Sequence, residues 1–230
     1  MPIKLLDDAQ ILDTLRRLRD RINERFPGSG LCGVASDVLE IGEDTAALSK
    51  FLARPHWPSR LIVIATIAAL TMVLLALALR IRMPSGIDGL ATALQASESL
   101  INDVVFLGVT VFFLTSVETR IKRHRALTAL HRLRSVAHIV DMHQLTKDPD
   151  RVASPEEDTA SSPKRSLSPA ELGRYLDYCS ELLACISKLA ALHVQHFNDS
   201  VTLGAVNEVE ALCTGLSNKI WQKITMLDRR

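Results

Sequence analysis

The chain has 230 residues, enough for one domain or two small ones. Lys plus Arg number 27 and Asp plus Glu 26, so the net charge is +1, which excludes an acidic tail protein and a globally basic nucleic-acid binder. Aromatics at 4% leave too few rings for a base-stacking module, and four Cys are no disulfide framework.

The first predicted element is a helix over 8–26. Ile11, Leu15, Leu18, Ile22 and Phe26 recur at steps of four and three and form one apolar stripe, while Asp13–Arg17 and Arg16–Asp20 have ion-pair spacing. Packing on neighbouring helices explains the stripe most simply; a membrane-surface helix or a coiled-coil arm is the alternative. Pro27-Gly28-Ser29-Gly30 ends the helix. A second helix follows over 31–53, with Leu31, Val34, Val38, Leu39, Leu48, Phe51 and Leu52 on one side and Gly42 as a weak point. Pro-His-Trp-Pro at 55–58 breaks the chain, with Trp57 suited to a membrane interface.

Leu61 to Leu79 carries no charge. As a helix it reaches about 28 Å, close to the ~30 Å hydrocarbon core. A 230-residue chain has little with which to wrap such a helix in a soluble protein, so a transmembrane span is expected. A turn around Pro84, Gly86 and Gly89 leads to a second apolar run, Leu100 to Val117, with Asn102 and Asp103 near its start. It is expected to be a second span; the alternative is a helix on the membrane surface or inside an oligomer. Gly108, Thr110, Thr115 and Ser116 supply small or polar positions for close helix contact.

Orientation follows from the cations near the span ends. Lys50, Arg54 and Arg60 precede the first span, and Arg120, Lys122, Arg123, Arg125, Arg132 and Arg134 follow the second, against Arg80 and Arg82 in the connection. Both termini are therefore expected in the cytoplasm. The first 15 residues have Asp7, Asp8 and Asp13 and no apolar core, so the first span is expected to act as its own uncleaved signal. Arg120, Lys122, Arg123 and Arg125 are assigned to lipid headgroups.

The stretch 118–146 has no breaker and is expected to continue the second span as one rod, with Leu130, Leu133, Ala137 and Val140 as a seam. The stretch 149–167, rich in Pro, Ser, Glu and Asp, reads as a disordered linker; Ser154-Pro155 and Ser162-Pro163 are phosphorylation candidates, though flexibility alone explains them more simply. Ser168-Pro169-Ala170-Glu171 is a capping box. The helix behind it presents Leu172, Leu176, Cys179, Leu183, Ile186, Ala190 and Phe197. Asn198-Asp199-Ser200 marks a turn, and Leu212, Leu216, Ile220 and Ile224 form a last seam. The predicted organisation is all-α. A helical region of 1–56 precedes a transmembrane hairpin of 57–118, followed by a helix of 119–148, the linker of 149–167 and a C-terminal helical hairpin of 168–230.

Candidate chemistry is sparse. His138 with Asp141, and His193 with His196, are one helical turn apart and are suitable ligand types for zinc. Without an HExxH or CxxC pattern, histidines on amphipathic helices explain them more simply; pH sensing is a further reading. Cys179, Cys185 and Cys213 lie on apolar faces and read as packed thiols. GSGLCG at 28–33 has no preceding strand and fails as a nucleotide loop. No catalytic residue and no cofactor is expected.

RLRSVAHIVDMHQLTKDPD at 132–150 and GLSNKIWQKI at 215–224 resemble uncharacterised bacterial two-span membrane proteins. The resemblance implies a bacterial inner-membrane location and no activity. The functional expectation is a non-enzymatic membrane anchor or scaffold. It would assemble with copies or a protein partner through the seams Leu130, Leu133, Ala137 and Val140, and Leu212, Leu216, Ile220 and Ile224. The alternatives are a subunit of an oligomeric channel or transporter and a membrane-bound metal protein using His138, Asp141, His193 and His196.

Overall fold

The computed structural model describes residues 5–54, 57–80, 87–147 and 167–228, with positions 149 and 161. Pro55 and His56, the turn residues Pro84 and Gly86, and nearly all of the linker of 149–167, with Ser154 and Ser162, lie outside the described residues. Every regular element among the described residues is a helix: α1 (Asp8–Arg25), α2 (Gly30–Ala53), α3 (Trp57–Arg80), α4 (Ile87–Leu145), α5 (Pro169–Ala191) and α6 (Ser200–Asp228). The chain divides into two compact units. One comprises residues 1–54 and 123–230, the other 55–122; α4 contributes to both.

The first unit is a helical bundle with one apolar core. Ile11, Leu15, Leu18 and Ile22 of α1 are buried, so the predicted stripe packs inside the chain. Asp7 accepts the Ala9 N–H at the N-terminus of α1. Gly28 sits at φ +71°, a left-handed conformation that glycine adopts without strain, and turns the chain into α2. Ser29 then caps α2 by accepting the Cys32 N–H. Phe26, at the end of α1, meets Tyr175 and Tyr178 of α5 edge-on, with ring centroids 5.4 and 6.2 Å away.

Gly42 is a close approach rather than a weak point. A Cβ there would lie 3.1 Å from a Leu12 methyl, 3.3 Å from Leu15 and 3.4 Å from Leu189, so its bare backbone lets α1, α2 and α5 meet. Of the two predicted α1 ion pairs, Asp13–Arg17 forms at 2.8 Å. Arg16–Asp20 does not: Arg16 reaches across to Glu43 of α2, and Asp20 pairs with Arg19. The better-placed partner on the next helix wins.

The capping box forms as the sequence predicts. Ser168 accepts the Glu171 N–H, the Glu171 carboxylate accepts the Ser168 N–H, and Pro169 starts α5. Leu172, Leu176, Cys179, Leu183, Ile186 and Ala190 are buried; Phe197 lies past the end of α5 and is partly exposed. Asp199 starts α6 by accepting the Thr202 N–H at 3.0 Å and the Thr202 hydroxyl at 2.8 Å.

The second unit holds α3 and the earlier part of α4. Among the described residues one helix, Ser97–Leu145 within α4, is long and apolar enough to cross a membrane, and the described apolar stretch of α3, Leu61–Val73, is shorter. The first predicted span therefore stands on the apolar run of the sequence.

Candidate membrane and assembly surfaces

Among the described residues of the second unit, large apolar side chains are exposed. Met72 is 72% exposed, Phe106 75% and Phe112 73%, and Ile62, Val105 and Phe113 are more than half exposed as well. Backbone groups here are paired along the helices. The hydroxyls follow suit: Thr66, Thr71, Thr110 and Ser116 each donate to the carbonyl four residues back, at 2.7–2.8 Å. Among the described residues nothing lies within 4 Å of where a Gly108 Cβ would stand, and the Thr110 and Ser116 hydroxyls are spent on their own helix.

The four cations assigned to lipid headgroups have different fates. Arg123 grips Asp199 with Nε and Nη2, the shortest contact being 2.6 Å, while Asp199 is nearly buried. The Arg123 guanidinium, with the Thr202 groups behind it, holds the Asp199 carboxyl below its ordinary range. Lys122 pairs with Glu118 at 3.1 Å, and Arg125 lies 4.5 Å above the Phe51 ring. Arg120 is exposed. Arg123 is therefore engaged inside the first unit, because a nearly buried carboxylate offers a guanidinium more than a hydrated headgroup does.

The seams close within one chain. Leu130, Leu133, Ala137 and Val140 are at most 2% exposed, and they share a core with α1, α2, α5 and α6. Leu216 and Ile220 are buried in the same core, with Leu212 and Ile224 packed against it. Their periodicity reports intramolecular packing: Leu130, Leu133, Ala137, Val140, Leu216 and Ile220 are enclosed by the chain's own core, while Leu212 and Ile224 are partly buried against it.

The histidine pairs are separated by environment. His138 and His196 are exposed, and Asp141 accepts from the Gln144 amide at 2.5 Å. His193 is fully buried. Its Nδ1 faces the carbonyls of Leu189 and Ala190, each at 3.2 Å, so that nitrogen carries the hydrogen, and Nε2 has no partner among the described residues. Burial pushes the His193 pKa down despite the two carbonyls. Among the described residues no group of three or more His, Cys, Asp or Glu side chains is placed to hold a metal ion. Burial drives the Cys179 thiol up to about 12 and Cys213 to about 11, and raises Cys185, so these are inert packed thiols.

Sequence reasoning missed a groove in the first unit between α2 and α4. Two adjoining cavities of about 540 and 320 Å³ share Ile41, Thr128 and Arg132. Asp37, Glu40 and Asp44 stand on the α2 side and His131, Arg132 and Arg125 on the α4 side, with Ile41, Val136 and Ile139 among the apolar lining. The acidic run of α2 and the basic run of α4 are both visible in the sequence; their juxtaposition is not. No known protein family matches the chain, and no curated protein or solved structure is similar to it.

Proposed function

We propose that this protein is a non-enzymatic membrane anchor and scaffold. Its apolar unit, with α3 and the Leu100–Val117 run of α4 as two spans, sits in a bilayer and tethers the helical bundle of 1–54 and 123–230 to the membrane surface. The observation that carries this reading is the outward-facing apolar surface of the second unit, from Met72 to Phe113. In water such a surface would drive association, whereas in hydrocarbon it is the favoured solvent face. The excess of Lys and Arg outside the connection between the spans favours both termini on the cytoplasmic side. The resemblance to bacterial two-span proteins suggests a bacterial inner membrane.

Ultracentrifugation of lysed cells tests this. The protein should pellet with membranes and resist extraction by alkaline carbonate. In a chain with Phe106→Lys and Phe112→Lys the second span should fail to insert, since each lysine near mid-span costs about 3 kcal/mol. Wild-type protein in the soluble fraction would overturn the reading.

A further inference from the structure

The groove between α2 and α4 has two walls of opposite charge. In the described structure α2 and α4 run antiparallel. Gly30, at the start of α2, lies under the His143 imidazole, Asp44 pairs with Arg132 at 2.7 Å, and Phe51, near the end of α2, lies under Arg125. Asp37 and Glu40 make no ion pair among the described residues. The apolar lining continues along α4 into an exposed stripe, with Ile139 41%, Met142 66% and Leu145 62% exposed.

We infer that this groove is the interface of a parallel homodimer, in which α2 of each copy packs over α4 of the other. The charges select the arrangement. A two-fold axis running along the groove sets the acidic α2 wall of one chain on the basic α4 wall of its partner, twice. A two-fold axis across the groove would set acid on acid and base on base. The allowed arrangement is a four-helix bundle of two α2 and two α4 helices, in which every neighbouring pair is antiparallel. The apolar floors around Ile41 and Ile139 meet at its centre and supply affinity. Exposed ion pairs contribute little each, so the charged walls act mainly on register and partner choice. The Arg132–Asp44 pair that now spans the groove can re-form between chains with the same geometry. The inference rests on the anchor reading only in that a shared bilayer concentrates the copies.

The test uses the full chain in detergent and in lipid nanodiscs, with subunit number read by native mass spectrometry. Wild type should be a dimer. Asp37→Lys with Glu40→Lys, and separately His131→Glu with Arg132→Glu, should each weaken the dimer by about tenfold or more. The two variants mixed should restore a heterodimer, because both interfaces then pair opposite charges. Recovery on mixing also shows that each variant is folded. An uncharged variant pair guards against misfolding: Asp37→Cys in one chain and Ser135→Cys in the other, both with Cys32→Ser, should link into a covalent dimer with a short bis-maleimide. A monomeric wild type, or a dimer that ignores both charge reversals and gives no 37–135 link, overturns the inference. Membrane pelleting of the same proteins keeps the two readings apart. Monomers that pellet defeat the groove dimer and leave the anchor standing; dimers that stay in the supernatant defeat the anchor and leave the groove dimer standing.

Discussion

Among the described residues His193 is held by two carbonyls at one nitrogen and by nothing at the other. A second proton would have to sit on Nε2, in the core, with no acceptor. The folded pKa is therefore below the ordinary value of 6.5, while the unfolded chain titrates near it. Between those values the unfolded chain binds the extra proton, so stability is full above about pH 6.5 and falls as the medium acidifies through that window. His193→Asn, which keeps an N–H for the carbonyls and cannot titrate here, should flatten the loss of melting temperature between about pH 7 and pH 5. An unchanged slope would put the acid sensitivity elsewhere. Asp199 works in the same direction at lower pH: its depressed carboxyl stabilises the fold above its ordinary range and ceases to do so as pH falls through its folded pKa. Neither role could be read from sequence. In the sequence His193 reads as a histidine on an amphipathic helix, with a ligand pair as the alternative, and Arg123 as a headgroup cation, because residue type and spacing carry no information on what faces a side chain from another helix.

At the scale of the element, the helix ends were more legible than their tertiary partners. The capping box at Ser168 and Glu171 is local chemistry, complete within four residues, and it forms as spelled. The end of α4 is different. Lys223 of α6 donates to the carbonyls of Gln144 and Lys147, at 2.9 and 3.2 Å, and so satisfies acceptors that a helix C-terminus leaves open. Lys223→Met should speed amide exchange in the last turn of α4, around residues 142–145, while leaving α5 protected. Equal protection in mutant and wild type would show the end held by other contacts. Gly30 likewise belongs to a meeting of elements, since a Cβ there would collide with the His143 imidazole, 113 residues on.

For the whole molecule, the fate of the seams changes what a mutation is expected to do. Leu216 is 5% exposed, in a core shared by five helices. Leu216→Asp should therefore unfold the bundle, with a destabilisation above about 4 kcal/mol, rather than merely split an assembly. Circular dichroism distinguishes the two: a folded, fully helical mutant that only dissociates would return the seam to an assembly role. The sequence by itself determined the helical class, the stripe of α1, the capping box of α5 and the apolar character of the middle of the chain, because each depends on periodicity or on neighbours within one turn. The tertiary structure alone decided that the seams close within one chain, that Arg123 serves Asp199, that His193 is buried, and that an acidic and a basic wall flank one groove. Those outcomes depend on which helix faces which, a choice made by packing the whole core at once and carried by no single stretch of residues.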